Sequence, residues 1–140
     1  MKKIQVLVLC TGNSARSQIA EGLLRHHGGD RFDVVSAGTH PTLLRPEAVA
    51  AMQEVGIDIS GHWSKAVDAF VGSEFDYVIT VCDSAQESCQ VFPAKTQRIH
   101  WRIEDPAAVD GGDLARLAAF REARDDLRSR IQQWIAREAR

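Results

Sequence analysis

The sequence predicts an α/β fold, a three-layer sandwich in which a four-stranded parallel sheet carries helices on both faces. Short, nearly continuous apolar runs, as expected of strands buried on both faces, alternate with segments of helical periodicity. Strands separated by helices form β-α-β units, which build parallel sheets with right-handed crossovers. The length of 140 residues is that of one ordinary domain, so we expect residues 1–140 to form a single domain.

Four strands are predicted, over residues 4–9, 32–36, 75–82 and 96–101. The first follows Met-Lys-Lys and superficially resembles a signal peptide. Its apolar run is only about six residues long and meets glycine and asparagine rather than a small-residue cleavage site. We therefore interpret it as a strand and expect a cytoplasmic protein.

Helical segments fill the connections between the strands. Helical periodicity begins at Ser17, and Gly28 and Gly29 predict where this first helix ends. Pro46 suits the first position of a second helix, which Gly56 would cap.

Two further helices are predicted, a short one over residues 64–70 and a long one over residues 113–137. The many Arg and Glu residues of the long helix would face water, as a solvated surface. Its inner stripe is predicted to consist of Leu117, Phe120, Leu127, Ile131 and Trp134.

Charge and hydropathy exclude two classes of partner. The formal net charge is −2, and the sequence shows no clustered basic face of the kind that binds nucleic acid. No apolar run approaches the roughly 20 residues that span a bilayer. We therefore expect neither nucleic acid nor a membrane as a partner.

The chain has three cysteines, Cys10, Cys82 and Cys89. An odd and low number argues against a structural disulfide framework, so reactive thiols become the question. In open parallel sheets, ligands bind beyond the carboxyl ends of the strands. Cys10, Cys82 and the loop after Trp101 are all predicted to lie at that edge.

A cysteine and an arginine, Cys10 and Arg16, bracket five residues where the first strand gives way to a helix. Backbone N–H groups of such a loop can surround an anion, and the helix end adds partial positive charge. We expect Gly12 and Asn13 to allow the tight turn, because both tolerate positive φ. The predicted oxyanion-binding loop consists of Thr11, Gly12, Asn13, Ser14, Ala15 and Arg16.

The chemistry expected of this loop is nucleophilic. Arg16 offers a planar fork that matches a tetrahedral oxyanion. The same positive field should lower the pKa of Cys10, and the Ser17 hydroxyl could donate to its sulfur. The alternative is an inert buried cysteine with Arg16 on a solvated helix face, which the strand–turn–helix context makes the weaker interpretation.

Six residues separate Cys82 from Cys89. Structural zinc sites space cysteines by about two to four residues and use four ligands, so zinc is disfavoured, whereas an inert buried pair stays open. Seven residues of straight helix rise about 10.5 Å, but a disulfide needs Cα atoms within about 6.8 Å. If residues 83–89 are helical in the reduced protein, the two cysteines join only when this segment unwinds. We therefore predict a mobile redox element there.

Asp105 precedes Pro106 after the fourth predicted strand. Pro106 restricts Asp105 to an extended backbone, and a carboxylic acid above the loop could protonate a leaving oxygen. An Asp-Pro pair is equally well a simple turn opener, so both interpretations stay open from the residues alone.

These motifs together resemble one known family. The stretch "CTGNSARS" is similar to the phosphate-binding loop of low-molecular-weight protein tyrosine phosphatases and of the arsenate reductases built on that fold. The similarity continues in "QIAEG", "VVSAGTHP", "AMQEVGIDIS", "VITVCDSAQESC" and "HWRIEDPA", and it covers nearly the whole chain. It implies a low-molecular-weight phosphatase-like fold and favours Asp105 as the catalytic acid.

Thioredoxin-coupled arsenate reductases of this family carry two further cysteines where this chain has Cys82 and Cys89. The resemblance implies reduction of arsenate to arsenite, in which Cys10 attacks arsenic, Cys82 attacks Cys10 and Cys89 attacks Cys82. Thioredoxin, which receives its electrons from NADPH through thioredoxin reductase, would then reduce the last disulfide. The resemblance implies no bound cofactor. We expect a monomer that binds arsenate, with phosphate and sulfate as competing oxyanions.

One departure from the family concerns the substrate. In phosphatases of this fold, aromatic residues typically follow the Asp-Pro pair, whereas Ala107 and Ala108 follow it here, which favours a small inorganic substrate. The main alternative is a phosphomonoesterase that uses Cys10, Arg16 and Asp105 without redox chemistry. A second alternative is a regulator whose three cysteines bind arsenite without turnover.

Another departure concerns metal binding. Some relatives bind potassium through residues that match Asn13, Glu21 and Ser36 and through a downstream Thr and Asp. Trp63 and Lys65 stand at those downstream positions here. Because a lysine ammonium could replace the charge of the ion, we expect no potassium site and no other metal.

Overall fold

The computed structural model describes residues 2–82 and 95–138, and a parallel sheet forms their centre. The strands are β1 (Ile4–Cys10), β2 (Phe32–Gly38), β3 (Tyr77–Thr80) and β4 (Gln97–His100). They lie in the order β2-β1-β3-β4, and all neighbouring strands pair in parallel. The predicted α/β fold with a four-stranded parallel sheet is confirmed.

Three α-helices belong to the described part of the chain: α1 (Arg16–Gly28), α2 (Pro46–Gln53) and α3 (Asp113–Glu138). Helix α1 contacts β1 and β2, and both α2 and α3 pack against α1. As predicted, Pro46 is the first residue of α2 and Gly28 is the last residue of α1. Within residues 2–82 and 95–138, no helix combines the length and apolar character needed to cross a bilayer.

The predicted helix over residues 64–70 is only partly correct. A 3-10 helix spans Val67–Phe70, whereas Ala66 forms an isolated parallel bridge with Gly38. The Gly38 N–H donates to the Lys65 carbonyl at 2.8 Å, so residues before Val67 follow the end of β2 instead of coiling. This extended stretch brings Lys65 close to the loop after β1.

The core is centred on β1 and on the inner faces of α1 and α3. Residues 6–9 of β1 are fully buried, because helices and strands surround this central strand. Of the stripe predicted for α3, only Leu117 is half-buried rather than buried. Trp134 of α3 packs its ring against Phe32, Tyr77 and Trp101. Each such large side chain contributes about 1.5–3 kcal/mol through burial.

The register between β1 and β3 defines one edge of the sheet. Leu9 lies opposite Thr80, so both strands end together at their carboxyl termini. Cys10 and Cys82 follow that pair by one and two residues respectively. The sheet therefore carries both cysteines to the same edge, as the sequence predicts.

Candidate active site

The loop after β1, which we call the cradle (residues 10–16), is held from outside through its carbonyl groups. Four of them accept backbone N–H groups of the segment 39–45 at 2.8 to 3.2 Å: the pairs are Thr39–Cys10, His40–Thr11, Thr42–Gly12 and Arg45–Ser14. In a trans peptide the carbonyl and the next N–H point in opposite directions. The outward carbonyls therefore turn the following N–H groups toward the hollow of the loop.

The N-terminus of α1 closes the cradle. Ala15 occupies the cap position and provides no capping side chain, and the first turn holds no acidic residue. The first N–H groups of the helix therefore remain available to an anion, and the helix dipole adds partial positive charge. The arrangement suits a tetrahedral oxyanion.

Asn13 anchors the cradle from below. It is fully buried and adopts the left-handed backbone expected of it, with φ of 48°. Its Nδ2 donates to Ser17 Oγ at 2.7 Å and to Ser36 Oγ at 2.9 Å. Its Oδ1 accepts the Lys65 N–H at 2.8 Å and Gln18 Nε2 at 3.2 Å. All four hydrogen-bonding positions of the carboxamide are thus used.

The cradle needs glycine at position 12 for a different reason than the sequence predicts. The expected positive φ is found at Asn13 and not at Gly12. A Cβ on Gly12 would lie 3.1 Å from Ser14 Oγ and 3.2 Å from Thr42 Oγ1. Gly12 therefore provides space between the two sides of the loop rather than an unusual backbone angle.

Gly38, at the end of β2, is a functional position that sequence reasoning missed. A Cβ there would lie 2.5 Å from the Thr11 carbonyl oxygen and 2.9 Å from the Asn13 nitrogen, so only glycine allows this close approach. The signal in the sequence was a glycine that ends a strand beside β1. Its importance depends on a distance that pattern analysis does not measure.

Two thiols meet at the cradle. Cys10 and Cys82 are both buried, with 2% and 6% of their surface exposed. The Thr11 hydroxyl oxygen lies 3.2 Å from Cys82 Sγ. A nucleophile in the cradle thus has a second thiol at the same edge of the sheet, beside the neighbouring residue Thr11.

The lowered pKa predicted for Cys10 is wrong for this state of the protein. The hydrogen bond with Cys82 and burial raise the pKa of Cys10 above its ordinary value, although Arg16 and the Thr11 N–H act in the lowering direction. Two thiols in contact can share one proton readily, so the energetic cost falls on removing the second proton beside an existing negative charge.

Arg16 connects the cradle with the loop that carries Asp105. Its Nη1 donates to the Ile103 carbonyl oxygen at 2.9 Å. Asp105 is exposed and begins the 3-10 turn Pro106–Ala108, and its Oδ1 accepts the Ala107 N–H at 3.0 Å. Asp105 therefore opens a turn, as one interpretation predicted, in a loop that touches the cradle through Arg16. Its role as an acid stays a prediction.

The predicted roles of two other site residues, Ser17 and Cys89, stay predictions. Ser17 is buried, and its oxygen accepts the bond from Asn13, which leaves its hydroxyl proton for another acceptor. Donation from Ser17 to the Cys10 sulfur stays a prediction. Cys89 and the predicted redox element over residues 83–89 lie outside the described residues.

The polar residues beneath the cradle already include a positive charge, and the absence of a potassium site stays a prediction. Lys65 Nζ donates to the Trp63 carbonyl oxygen at 2.9 Å and lies 3.9 Å from Glu21 Oε1. A potassium ion bound by Glu21 would lie close to this ammonium group, and the two positive charges would repel each other. No cluster of three or more His, Cys, Asp or Glu suited to a metal occurs within residues 2–82 and 95–138.

Glu21 also contacts His62 and Arg25. Glu21 Oε2 lies 3.6 Å from His62 Nδ1 and 3.2 Å from Arg25 Nη2. Burial lowers the pKa of His62, and the Glu21 carboxylate opposes this effect. Burial likewise lowers the pKa of Lys65.

Comparison with known proteins agrees with this geometry. The chain is 42% identical over 132 residues to the arsenate reductase of Halalkalibacterium halodurans, which is 94% of this chain and 95% of that protein. A solved arsenate reductase in its oxidized state superposes with a TM-score of 0.80 at 32% identity, covering 94% of this chain and 96% of the other.

The thioredoxin-dependent arsenate reductase of Corynebacterium glutamicum superposes with a TM-score of 0.74 at 29% identity, covering 96% of this chain and 61% of that one. A family model described as low molecular weight phosphotyrosine protein phosphatase matches residues 5–140. With its anion cradle on the matching fold, the chain belongs to the low molecular weight phosphotyrosine protein phosphatase family.

Proposed function

We propose that the chain reduces arsenate to arsenite and that thioredoxin recycles it, as a monomer in the cytosol. The observation that carries this proposal is the position of Cys82, which the sheet places at the same edge as Cys10 and whose Sγ lies 3.2 Å from Oγ1 of Thr11, the residue after Cys10. Hydrolysis of a phosphoester needs one thiol in the cradle. A two-electron reduction needs a second thiol within reach of the first.

Arsenate binds first, in the cradle. Its oxygens accept the inward N–H groups of the loop and those of the first turn of α1. Arg16 exchanges its bond to the Ile103 carbonyl for a bond to the oxyanion and stabilises the charge that develops there.

Cys10 then attacks arsenic. The hydrogen bond between the two thiols allows Cys82 to keep a proton while the Cys10 sulfur carries the negative charge. A sulfur–arsenic bond forms and an arsenic–oxygen bond breaks. Asp105 protonates the departing oxygen, which leaves as water.

Reduction occurs in the next step. The Cys82 thiol gives its proton to an oxygen on arsenic and its sulfur attacks Cys10 Sγ; a disulfide forms, and the sulfur–arsenic bond breaks with its electron pair going to arsenic. Arsenic(V) thereby becomes arsenic(III), two thiols become one disulfide, and arsenite leaves. Cys89 then attacks Cys82 and releases the Cys10 thiolate, and the dithiol of thioredoxin reduces the Cys82–Cys89 disulfide. The part assigned to Cys89 rests on the family resemblance.

The test follows NADPH oxidation in the presence of thioredoxin, thioredoxin reductase and arsenate. The wild-type chain should oxidise NADPH only when both arsenate and thioredoxin are present. Cys89→Ser should form about one arsenite per chain and then stop, because its disulfide cannot move onward. Normal repeated turnover by Cys89→Ser with thioredoxin would contradict the proposed relay.

The second candidate function is hydrolysis of small phosphomonoesters, and the cradle with Arg16 and Asp105 favours it because the same groups bind phosphate. It predicts hydrolysis of p-nitrophenyl phosphate without reductant, undiminished in Cys82→Ser, and no arsenate-dependent NADPH oxidation. Tight binding of arsenite without any turnover would instead support the regulator.

A further inference from the structure

A buried carboxylate lies beneath the cradle, and its two oxygens have different partners. The side chain of Glu21 is only 4% exposed. Its Oε2 faces Arg25 and His62. Its Oε1 accepts the Ser36 hydroxyl at 2.6 Å and lies 3.9 Å from Lys65 Nζ. A buried charge requires a nearby counter-charge, and on the oxygen that faces the cradle this counter-charge is Lys65.

Three neighbouring groups fix the position of the Lys65 ammonium. Its side chain is 17% exposed, and Nζ donates to the Trp63 carbonyl oxygen at 2.9 Å. The ring of Trp63 covers the ammonium group, with Nζ 5.0 Å from the ring centroid. A carbonyl, a carboxylate and an aromatic face thus fix the position of this cation.

A chain of short hydrogen bonds leads from this charge pair to the cradle. Ser36 donates to Glu21 Oε1 and accepts Asn13 Nδ2 at 2.9 Å. Asn13 is the cradle residue with a left-handed backbone, and the Lys65 N–H binds its Oδ1 at 2.8 Å. Lys65 therefore acts on Asn13 twice, through its backbone and through Glu21 and Ser36.

We propose that Lys65 is a positioning residue for anion binding, an internal counter-ion whose charge holds Glu21, Ser36 and Asn13 in the arrangement that shapes the cradle. This inference rests on the cradle being the anion site of the proposed function, but it does not depend on which reaction follows binding.

The test measures binding of inorganic phosphate by titration calorimetry, so it does not require arsenate reduction. Lys65→Met keeps the length of the side chain and removes its charge. We expect phosphate affinity to fall about tenfold in tetramethylammonium chloride, whose cation is too large for the site. Potassium or ammonium chloride at the same ionic strength should restore much of the loss, whereas the wild-type chain should bind equally in all three salts.

Two further variants complete the design. Lys95→Met removes an exposed lysine that pairs with Glu74 at 3.0 Å, and it should leave phosphate affinity unchanged. In Glu21→Gln/Lys65→Met, the glutamine oxygen still accepts Ser36 and no buried charge remains. This double variant should recover affinity relative to Lys65→Met and should lose the response to potassium.

Several results would overturn the inference. One is phosphate affinity of Lys65→Met within twofold of wild type in tetramethylammonium chloride. Others are an equal loss in Lys95→Met, a loss that no small cation restores, and a double variant as impaired as the single one. If Lys65→Met does not fold, failure of the folded double variant to bind phosphate would overturn it as well. Failure of arsenate reduction with normal salt responses would count against the proposed function and not against the role of Lys65.

Discussion

The floor and the mouth of the cradle are built in contrasting ways. The floor, meaning Asn13 with Ser17 and Ser36, is buried, and the side chain of Asn13 has all its hydrogen bonds inside the protein. At the mouth, Arg16 binds a carbonyl of the neighbouring loop and Asp105 is exposed.

This difference separates two tasks. The floor determines the shape of the anion site before a ligand arrives, so no reorganisation is needed at the moment of reaction. The groups at the mouth must change partners during the reaction. Substitutions at the floor should therefore change stability and anion affinity together. Substitutions at the mouth should change the rate and leave stability close to that of the wild type.

The largest effect is expected at the mouth, for Arg16→Met. Loss of the guanidinium removes charge stabilisation from the bound oxyanion, and kcat/KM for arsenate should fall roughly 10³-fold. The melting temperature should stay close to the wild-type value, because the bond to Ile103 is replaceable by water. Coupled turnover and thermal denaturation measure the two quantities. A large drop in melting temperature would contradict this expectation, because it would show that Arg16 stabilises the fold as the floor residues do.

Asp105→Asn should have the next largest effect. The variant keeps the shape of the side chain but has no acidic proton to donate, so kcat should fall about 10²-fold. Phosphate affinity should be preserved. Glu104→Gln is the matched control, since Glu104 is the exposed neighbouring carboxylate and should be dispensable. Equal losses in both variants would show a general charge effect instead of proton donation by Asp105.

Next to the floor, Gly38→Ala tests the close approach of β2 to the cradle at Thr11 and Asn13. The added Cβ must displace the Thr11 carbonyl, which lies 2.5 Å away, so stability should fall by about 1–3 kcal/mol. Phosphate affinity should fall with it. Gly61→Ala is the control, because no atom lies within 4 Å of its added Cβ. Urea unfolding and calorimetry measure both effects, and wild-type behaviour of Gly38→Ala would refute the preformed floor.

The smallest effect concerns the pH dependence of stability. Because Cys82 and burial raise the pKa of Cys10, the folded state keeps a proton that the unfolded chain loses at a pKa of about 8.5. Stability should therefore be complete below that pH and decline as pH rises above it. Cys82→Ser should lower the pKa of Cys10 and reduce this decline. Ultraviolet titration of the thiolate and urea unfolding across the alkaline range test both expectations.

The fold and the outline of the site could be predicted because they follow local rules. Apolar runs and helical periodicity predicted the strands and helices, and parallel strands end at one edge, which brought Cys10 and Cys82 together. The carbonyl contacts of segment 39–45 and the need for glycine at position 38 were not predictable in this way. They depend on distances between stretches of chain that are far apart in sequence.

The error about the Cys10 thiol has the same origin. The prediction considered only groups close to Cys10 in sequence, and two of these, Arg16 and the Thr11 N–H, do act to lower its pKa. The stronger influence on the pKa is Cys82, which is far away in sequence and is brought to the same edge of the sheet by the fold. Similarly, the sequence predicts a helix that includes residues 64–66, but Lys65 and Ala66 pair with Gly38 at the end of β2 instead.

The bond between Arg16 and the Ile103 carbonyl has a consequence for selectivity. In the proposed function, every tetrahedral oxyanion that enters takes the guanidinium away from that carbonyl, and the free energy of this exchange should be nearly the same for phosphate and arsenate, which share shape and charge. Recognition at the entrance therefore cannot separate the two ions. In the proposed function, discrimination falls to the sulfurs behind it, because a pair of thiols reduces arsenic(V) to arsenic(III) but does not reduce phosphorus(V).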